Sequence, residues 1–273
     1  MTRYTLNPAM QVLLRPDGAV QVGWDPRRAV LVRPPAGLSS AALAELLRIL
    51  QSGATLADLQ ARFEVDASEL VGSLVDAGVA TAAERRRTRC ASIRIHGRGP
   101  LSDLLAGALR CSGARVTHSR VAQAAPPETT DLVVLSDFLV ADPRVVRELH
   151  TGGVAHLPVR LRDGAGLVGP LVVPGVTSCL GCADLHRSDR DAAWPAVASQ
   201  LRDAVGSADR ATVLATAALA LNQVDRVIKA VRRGEAVGTS VEPPPTLDTT
   251  LEFDVNAGAI VARRWSRHPR CWC

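Results

Sequence analysis

Four cysteines constrain this chain more than any other feature. Cys179 and Cys182 form a Cys-x-x-Cys pair, and Cys271 and Cys273 form a Cys-x-Cys pair in the last three residues. A tetrahedral zinc takes four soft thiolates, and two short chelating turns supply them with little strain. A redox pair, a disulfide framework and two unrelated buried cysteines are the competing readings. A redox pair opens a helix directly after a strand, whereas Cys179 follows Pro174-Gly175, which reads as a turn. A chain of 273 residues also has no need of disulfides to hold a core. The expectation is one structural Zn2+ per chain on Cys179, Cys182, Cys271 and Cys273. It would close a loop of roughly 90 residues, worth ~4–5 kcal/mol by analogy with disulfides. With every ligand supplied by protein, no position is left for water, so such a metal is a clasp and not a catalyst.

The rest of the composition narrows the class. Hydrophobic residues make up 47% and aromatics only 3%, so a core must rest on Val, Leu, Ile and Ala. The length fits two domains or one large one. Met1 to Met10 lacks an apolar run, and the longest such run, Ala211 to Leu221, is too short to span a bilayer. A cytoplasmic protein with no membrane partner is expected. The net charge of +5 is carried almost wholly by arginine, Lys229 being the single lysine, and a mildly basic total does not by itself identify a nucleic-acid partner.

Residues 1–83 read as a small domain. Asp17-Gly18 between two alternating apolar runs predicts a hairpin, and Ala29 to Val32 a third strand. Ser39, Thr55 and Asp66 then open three helices, the first with Leu43, Leu46, Leu47 and Leu50 on one face. Strands with three short helices resemble a winged helix-turn-helix. The last helix carries Ser68, Glu69, Ser73 and Asp76 and no Arg or Lys, and would repel phosphate rather than neutralise it. The same architecture can take an extended peptide as an added strand, its side chains against the last helix. Peptide binding is therefore preferred over DNA, with a purely structural domain as the further alternative. Residues 84–90, which include Arg85-Arg86-Arg87, read as a basic, solvated linker.

Residues 91–273 have an α/β pattern. A strand from Ser92, a Gly97-Arg98-Gly99-Pro100 turn, a helix and a second strand open a dinucleotide-type unit, in which glycines let phosphate approach a helix N-terminus. The turn is degenerate: a third glycine is missing, Pro100 removes an amide, and Thr117-His118-Ser119 offers no carboxylate for a ribose, so glycines that merely make the turn are at least as good a reading as nucleotide binding. A buried strand ending at Ser136-Asp137, a helix Pro143–His150 and a strand Leu157–Leu161 follow. Asp209 to Arg233 is one long helix, read as core or dimer interface, and two antiparallel strands turning at Asn256-Ala257-Gly258 lead to the last cysteines. Neither His96 nor His186 makes a catalytic spacing; either could stand behind a site's ligands, but an ordinary hydrogen-bonded role is the preferred reading for each. Of the two remaining cysteines, Cys111 is expected in the core and Cys90 in the linker.

The glycine turn, Pro174-Gly175-Val176-Thr177-Ser178-Cys179 with Cys182, and the late helix before a cysteine pair resemble the ubiquitin-activating-like (ThiF-type) adenylyltransferase superfamily. More narrowly, Asp191-Ala192-Ala193-Trp194-Pro195 and His268-Pro269-Arg270-Cys271-Trp272-Cys273 resemble leader-peptide-binding partners of azoline-forming cyclodehydratases, which carry an N-terminal peptide recognition element of winged-helix type. The resemblance implies a degenerate Rossmann-like domain behind a peptide-binding domain, a precursor-peptide partner, a catalytic partner protein and a homodimer. Of the superfamily's nucleotide-site residues only Gly97, Gly99 and Asp137 match, and the lysine is absent from the expected place. Binding of ATP and Mg2+ is therefore doubtful, and no catalytic residue is assigned. The alternatives left open are a working adenylyltransferase, for which Cys90 is the better relay thiol, and a DNA-binding regulator.

Overall fold

The computed structural model describes residues 2–84, 89–119 and 130–273. It divides into two compact units, Met1–Arg87 and Thr88–Cys273. Most of the arginine-rich stretch expected to be a linker lies outside the described residues. Arg89, near its end, is exposed, and its guanidinium grips both oxygens of Asp131, at 3.0 and 2.5 Å.

In the first unit β1 (Thr2–Leu6) pairs antiparallel with β5 (Ala80–Glu84), and β2 (Val12–Leu14), β3 (Val20–Val22) and β4 (Val30–Val32) form a meander. The Asp17-Gly18 turn forms as its sequence requires, with Gly18 at φ 80°. Three helices follow: α1 (Ser40–Ser52), α2 (Leu56–Phe63) and α3 (Ser68–Asp76). Ser39 caps α1, and Thr55 caps α2 in a reciprocal box with Asp58. Asp66 stands one residue further out than expected, its carboxylate accepting from the Ser68 amide while Ala67 occupies the cap position. Leu43, Leu46, Leu47 and Leu50 are fully buried, joined by Leu6, Val20, Leu59 and Leu74.

The second unit is built on a seven-stranded sheet in the order β12-β11-β10-β9-β8-β6-β7. Its strands are β6 (Ser92–His96), β7 (Arg115–Ser119), β8 (Leu132–Ser136), β9 (His156–Arg162), β10 (Ala165–Val168), β11 (Thr249–Asp254) and β12 (Ala259–Arg264). The first four run parallel and the last three antiparallel, so the fold is a mixed α/β sheet. Period-two alternation sorts the buried strands onto two faces. Ile93, Ile95, Leu132, Val134, Leu157, Val159 and Leu161 pack against α4 (Pro100–Leu109) and α8 (Arg210–Arg233). Val133 and Leu135 pack on the other face against α5 (Pro143–Thr151) and α6 (Leu180–Arg190), which α7 (Trp194–Leu201) follows. The helix α8 is core: Ala217, Ala220, Val224, Val227 and Ile228 are buried against the sheet, although Leu214, expected on the same stripe, is 49% exposed. Among the described residues no helix is long and apolar enough to cross a membrane.

Candidate functional site

The four predicted ligands come together. Their Sγ atoms all lie within 4.8 Å of one another, with Cys179–Cys271 at 3.5 Å, Cys182–Cys273 at 3.3 Å and Cys179–Cys182 at 3.8 Å. Sulfurs at the corners of a zinc tetrahedron with 2.3 Å bonds stand about 3.8 Å apart. Four close cysteines can hold one metal ion, and an all-sulfur tetrahedral donor set is consistent with zinc. Without a cation, burial is outweighed by hydrogen bonds at Cys182, whose thiol lies below its ordinary value, whereas burial pushes the Cys273 thiol up and the Cys179 thiol well up, disfavouring thiolate at both. A bound dication would reverse that preference.

Both arms of the cluster are fixed by backbone and side-chain contacts. Cys179 is the N-cap of α6 and Cys182 stands in its first turn. The pair does open a helix, then, but it is reached through the Pro174-Gly175 turn instead of directly from a strand. Asp248 braces both arms: its Oδ1 accepts from the Ser178 amide at 2.6 Å and hydroxyl at 2.7 Å, and its carbonyl accepts from the Trp265 amide at 2.7 Å. Beyond Trp265 the tail is tied to α6. The Asp189 carboxylate binds His268 Nε2 at 2.8 Å and also Arg270, and the His268 carbonyl accepts from the Cys271 amide at 2.9 Å. The hydrogen bond from His268, with Arg270 nearby, holds Asp189 below the usual carboxylate range. His186 lies edge-on to His268 at 4.8 Å and binds the Ser266 carbonyl, so it supports the tail and not the sulfurs. Asp189 and Asp248 carry no spacing signal relative to the cysteines, and sequence reasoning did not single them out.

The structure brings Gly97, Gly99 and Asp137 together, in an unexpected way. Asp137 is 2% exposed, sits at φ 73°, and aims its carboxylate at the first turn of α4. Oδ1 accepts from the Leu101 amide at 2.9 Å and Oδ2 from the Ser102 amide at 3.2 Å. Those amides and the helix dipole make up the place where a phosphate is held in a dinucleotide fold. The end of β8 requires both glycines: a Cβ on Gly97 would stand 2.4 Å from Ser136 Oγ and 2.5 Å from the Ser136 carbonyl, and one on Gly99 2.8 Å from Asp137 Oδ1. At the end of β7, His118 Nε2 lies 3.1 Å from the Gly97 carbonyl. Lys229 is on the surface of α8, in a shallow depression with Arg226 and Arg233, away from the glycine turn's cavity.

A cavity of about 210 Å³ lies at the carboxyl ends of the parallel strands, lined by His96, Arg98, Ser136, Phe138, Arg160 and Arg202 among others. This is the position at which open α/β sheets receive ligands. Burial pushes the His96 imidazole below its ordinary value, and its Nδ1 has no partner among the described residues. His96 thus faces this cavity and not the cysteine cluster. Cys90 and Cys111 are both exposed, which for Cys111 corrects the expectation of a core position: α4 ends at Leu109 and Cys111 falls in the turn after it.

No known protein family matches the sequence, and no curated protein matches it either. Solved structures do match. A heterocyclase in complex with substrate and cofactor and the heterocyclase TruD each align at TM-score 0.67 and 16% identity. The alignments cover 100% of this chain but 39% and 42% of those chains, so this chain spans about two-fifths of their length. MccB from E. coli with ATP aligns at TM-score 0.58 and 13% identity over 99% of both chains. The likeness is one of fold.

Proposed function

We propose that this chain is a peptide-capturing scaffold of thiazole- and oxazole-type peptide modification, without adenylation activity of its own. Its first unit would act as a winged-helix-type recognition element for a leader-like peptide, and its zinc-clasped second unit would dock a catalytic partner, as a homodimer. Support for the peptide-modification setting comes from fold likeness to heterocyclases, one of them in complex with substrate, and to MccB in complex with N-formylated MccA. Support for peptide capture lies on the small three-stranded sheet. Its two outer strands carry exposed Leu14 (56%) and Leu31 (57%), and Trp24, in the turn after β3, is 74% exposed. Open strand edges with apolar side chains are what strand addition uses, and the acidic face of α3 disfavours DNA.

The observation that carries the non-catalytic reading is the Asp137 carboxylate on the α4 amides. A helix end already holding an internal anion repels a second one, and the basic residues of the neighbouring cavity are arginines without a lysine. The second reading, a working adenylyltransferase, is favoured by the match to MccB with ATP over nearly the whole of both chains. Calorimetric titration of the full zinc-loaded chain separates the two. A scaffold binds leader-like peptides and shows no heat with millimolar ATP and Mg2+. Saturable ATP binding, with pyrophosphate released on adding an acceptor peptide, would establish the enzyme instead. Leu14→Asp and Leu31→Asp test which strand edge the peptide takes, since both side chains are more than half exposed and neither change should unfold the unit.

A further inference from the structure

The largest cavity described in the second unit is not the one at the glycine turn. A cleft of about 580 Å³ runs between α5 on one side and α6–α7 on the other, with β9 as its floor and Trp272 at its rim. That volume is in the range of pockets that bury a ligand. Its walls include Leu139, Val146, Leu180, Trp194 and Leu201.

The floor carries a charge the protein does not neutralise. Along β9, Leu157, Val159 and Leu161 point into the core, so Arg160 points the other way, where it lines both this cleft and the cavity near the glycine turn. Arg160 is half-buried, and no hydrogen bond or ion pair reaches its guanidinium among the described residues. The carboxylate nearest at hand, Asp184, is committed: it accepts from Arg187 at 2.9 Å and from Trp194 Nε1 at 3.2 Å. Arg187 is itself sandwiched 5.0 Å from the Trp194 ring and 5.1 Å from that of Trp265. Arg162 is paired with Glu252 at 3.1 Å. Burial first, and then repulsion from Arg187, push the Arg160 guanidinium down to about 10, so it remains charged at neutral pH. A half-buried cation with no protein partner is only partly hydrated, and an incoming carboxylate would bind it with a two-pronged, charge-assisted bond. His150 lines the same cleft with its Nδ1 buried and unpartnered among the described residues. Asp163 at the β9–β10 turn is the one uncommitted acid of the lining, and it is exposed.

We infer that this cleft is a second recognition site, which takes a segment of a partner polypeptide in which a carboxylate stands beside a bulky apolar side chain. Arg160 anchors the carboxylate and the Leu139–Val146–Leu201 walls receive the apolar group. A polypeptide is favoured over a free small acid because the apolar surface continues out of the cleft onto Trp272, which is fully exposed at 101%. An exposed tryptophan at the rim of an apolar pocket is a feature of protein interfaces. The site lies wholly in the second unit and goes beyond the capture of a leader-like peptide by the first.

The test uses the full zinc-loaded chain and two acetylated, amidated peptides, Leu-Phe-Glu-Leu and its isostere Leu-Phe-Gln-Leu, titrated by calorimetry. The glutamate peptide is expected to bind about tenfold or more tightly than the glutamine peptide, the discrimination typical of a charge-assisted bond. Arg160→Gln should bring the two within about twofold, while Arg160→Lys, which keeps the charge but not the fork, should retain part of the difference. Unchanged zinc content and thermal midpoint would show that the variants are folded. Equal affinities in the unaltered protein, no binding of either peptide, or a preference that survives Arg160→Gln would each overturn the inference. Survival of the preference would place the binding elsewhere, including on the first unit.

Discussion

The carboxylate of Asp137 accepts the amides of both Leu101 and Ser102, and so closes the amino end of α4 with the protein's own anion. A substitution there tests whether the contact fills a phosphate's place. Asp137→Ala leaves two buried amides without acceptors, which should cost about 2–4 kcal/mol by urea unfolding. Inorganic phosphate or sulfate should recover part of that loss in the variant and leave the unaltered protein unmoved. Equal anion effects on both proteins would show that the helix end is not an anion site.

Gly97 and Gly99 invite mutation as nucleotide-binding residues, yet their packing predicts a different effect. A Cβ on Gly97 meets the Ser136 carbonyl at 2.5 Å, and backbone cannot move aside as a flexible side chain can. Gly97→Ala should therefore destabilise the second unit by about 1–3 kcal/mol with no nucleotide present. Thermal melts with and without ATP would check this. A variant as stable as the parent would mean that the turn relaxes, and the glycines would again need a ligand to explain them.

Metal analysis of protein prepared without chelator should find one zinc per chain. Stripping it, or replacing Cys273 by Ser, should free the tail from α6 and cost on the order of 4 kcal/mol, the entropy of reopening the long loop. Proteolysis near Cys271 should accelerate in parallel. Asp248→Asn should weaken metal binding by about tenfold or more, since the Asp248 carboxylate braces Ser178, the residue before Cys179. Zinc affinity unaffected by that change would show that the cysteine turns hold their geometry unaided.

The parts of the site that were legible in the sequence are those with local patterns. The two cysteine spacings specified the cluster, and the glycine turn specified the strand, helix and strand around it. The strands β1 and β5 were not foreseen, because Thr2–Leu6 and Ala80–Glu84 are joined only by long-range pairing across the whole first unit. The role of Asp137 was likewise hidden. By resemblance it matches a residue of a nucleotide site, whereas in the structure its backbone is left-handed at φ 73° and its carboxylate lies on the α4 amides. Arg160 is one arginine among many in the sequence, and its isolation appears once Asp184 and Glu252 are seen to be taken by other residues.

His156 gives the fold a dependence on acid. It is fully buried at the start of β9, where its Nδ1 binds the Val154 carbonyl at 3.0 Å and its Nε2 has no partner among the described residues. Burial pushes its pKa from 6.5 down to about 4. The unfolded chain then binds a proton between those values that the folded chain refuses. Stability from this group is whole above pH 6.5 and is lost as pH falls toward 4, at about 1.4 kcal/mol per unit, or about 3 kcal/mol in all. Urea unfolding of the unaltered protein and of His156→Leu, measured at steps from pH 7.5 to 4, isolates the term. The difference between their stabilities should change by that amount across the window, in favour of the leucine variant at the acid end. A constant difference would show that His156 accepts its proton without unfolding, through a rearrangement that brings its Nε2 to water or to an acceptor.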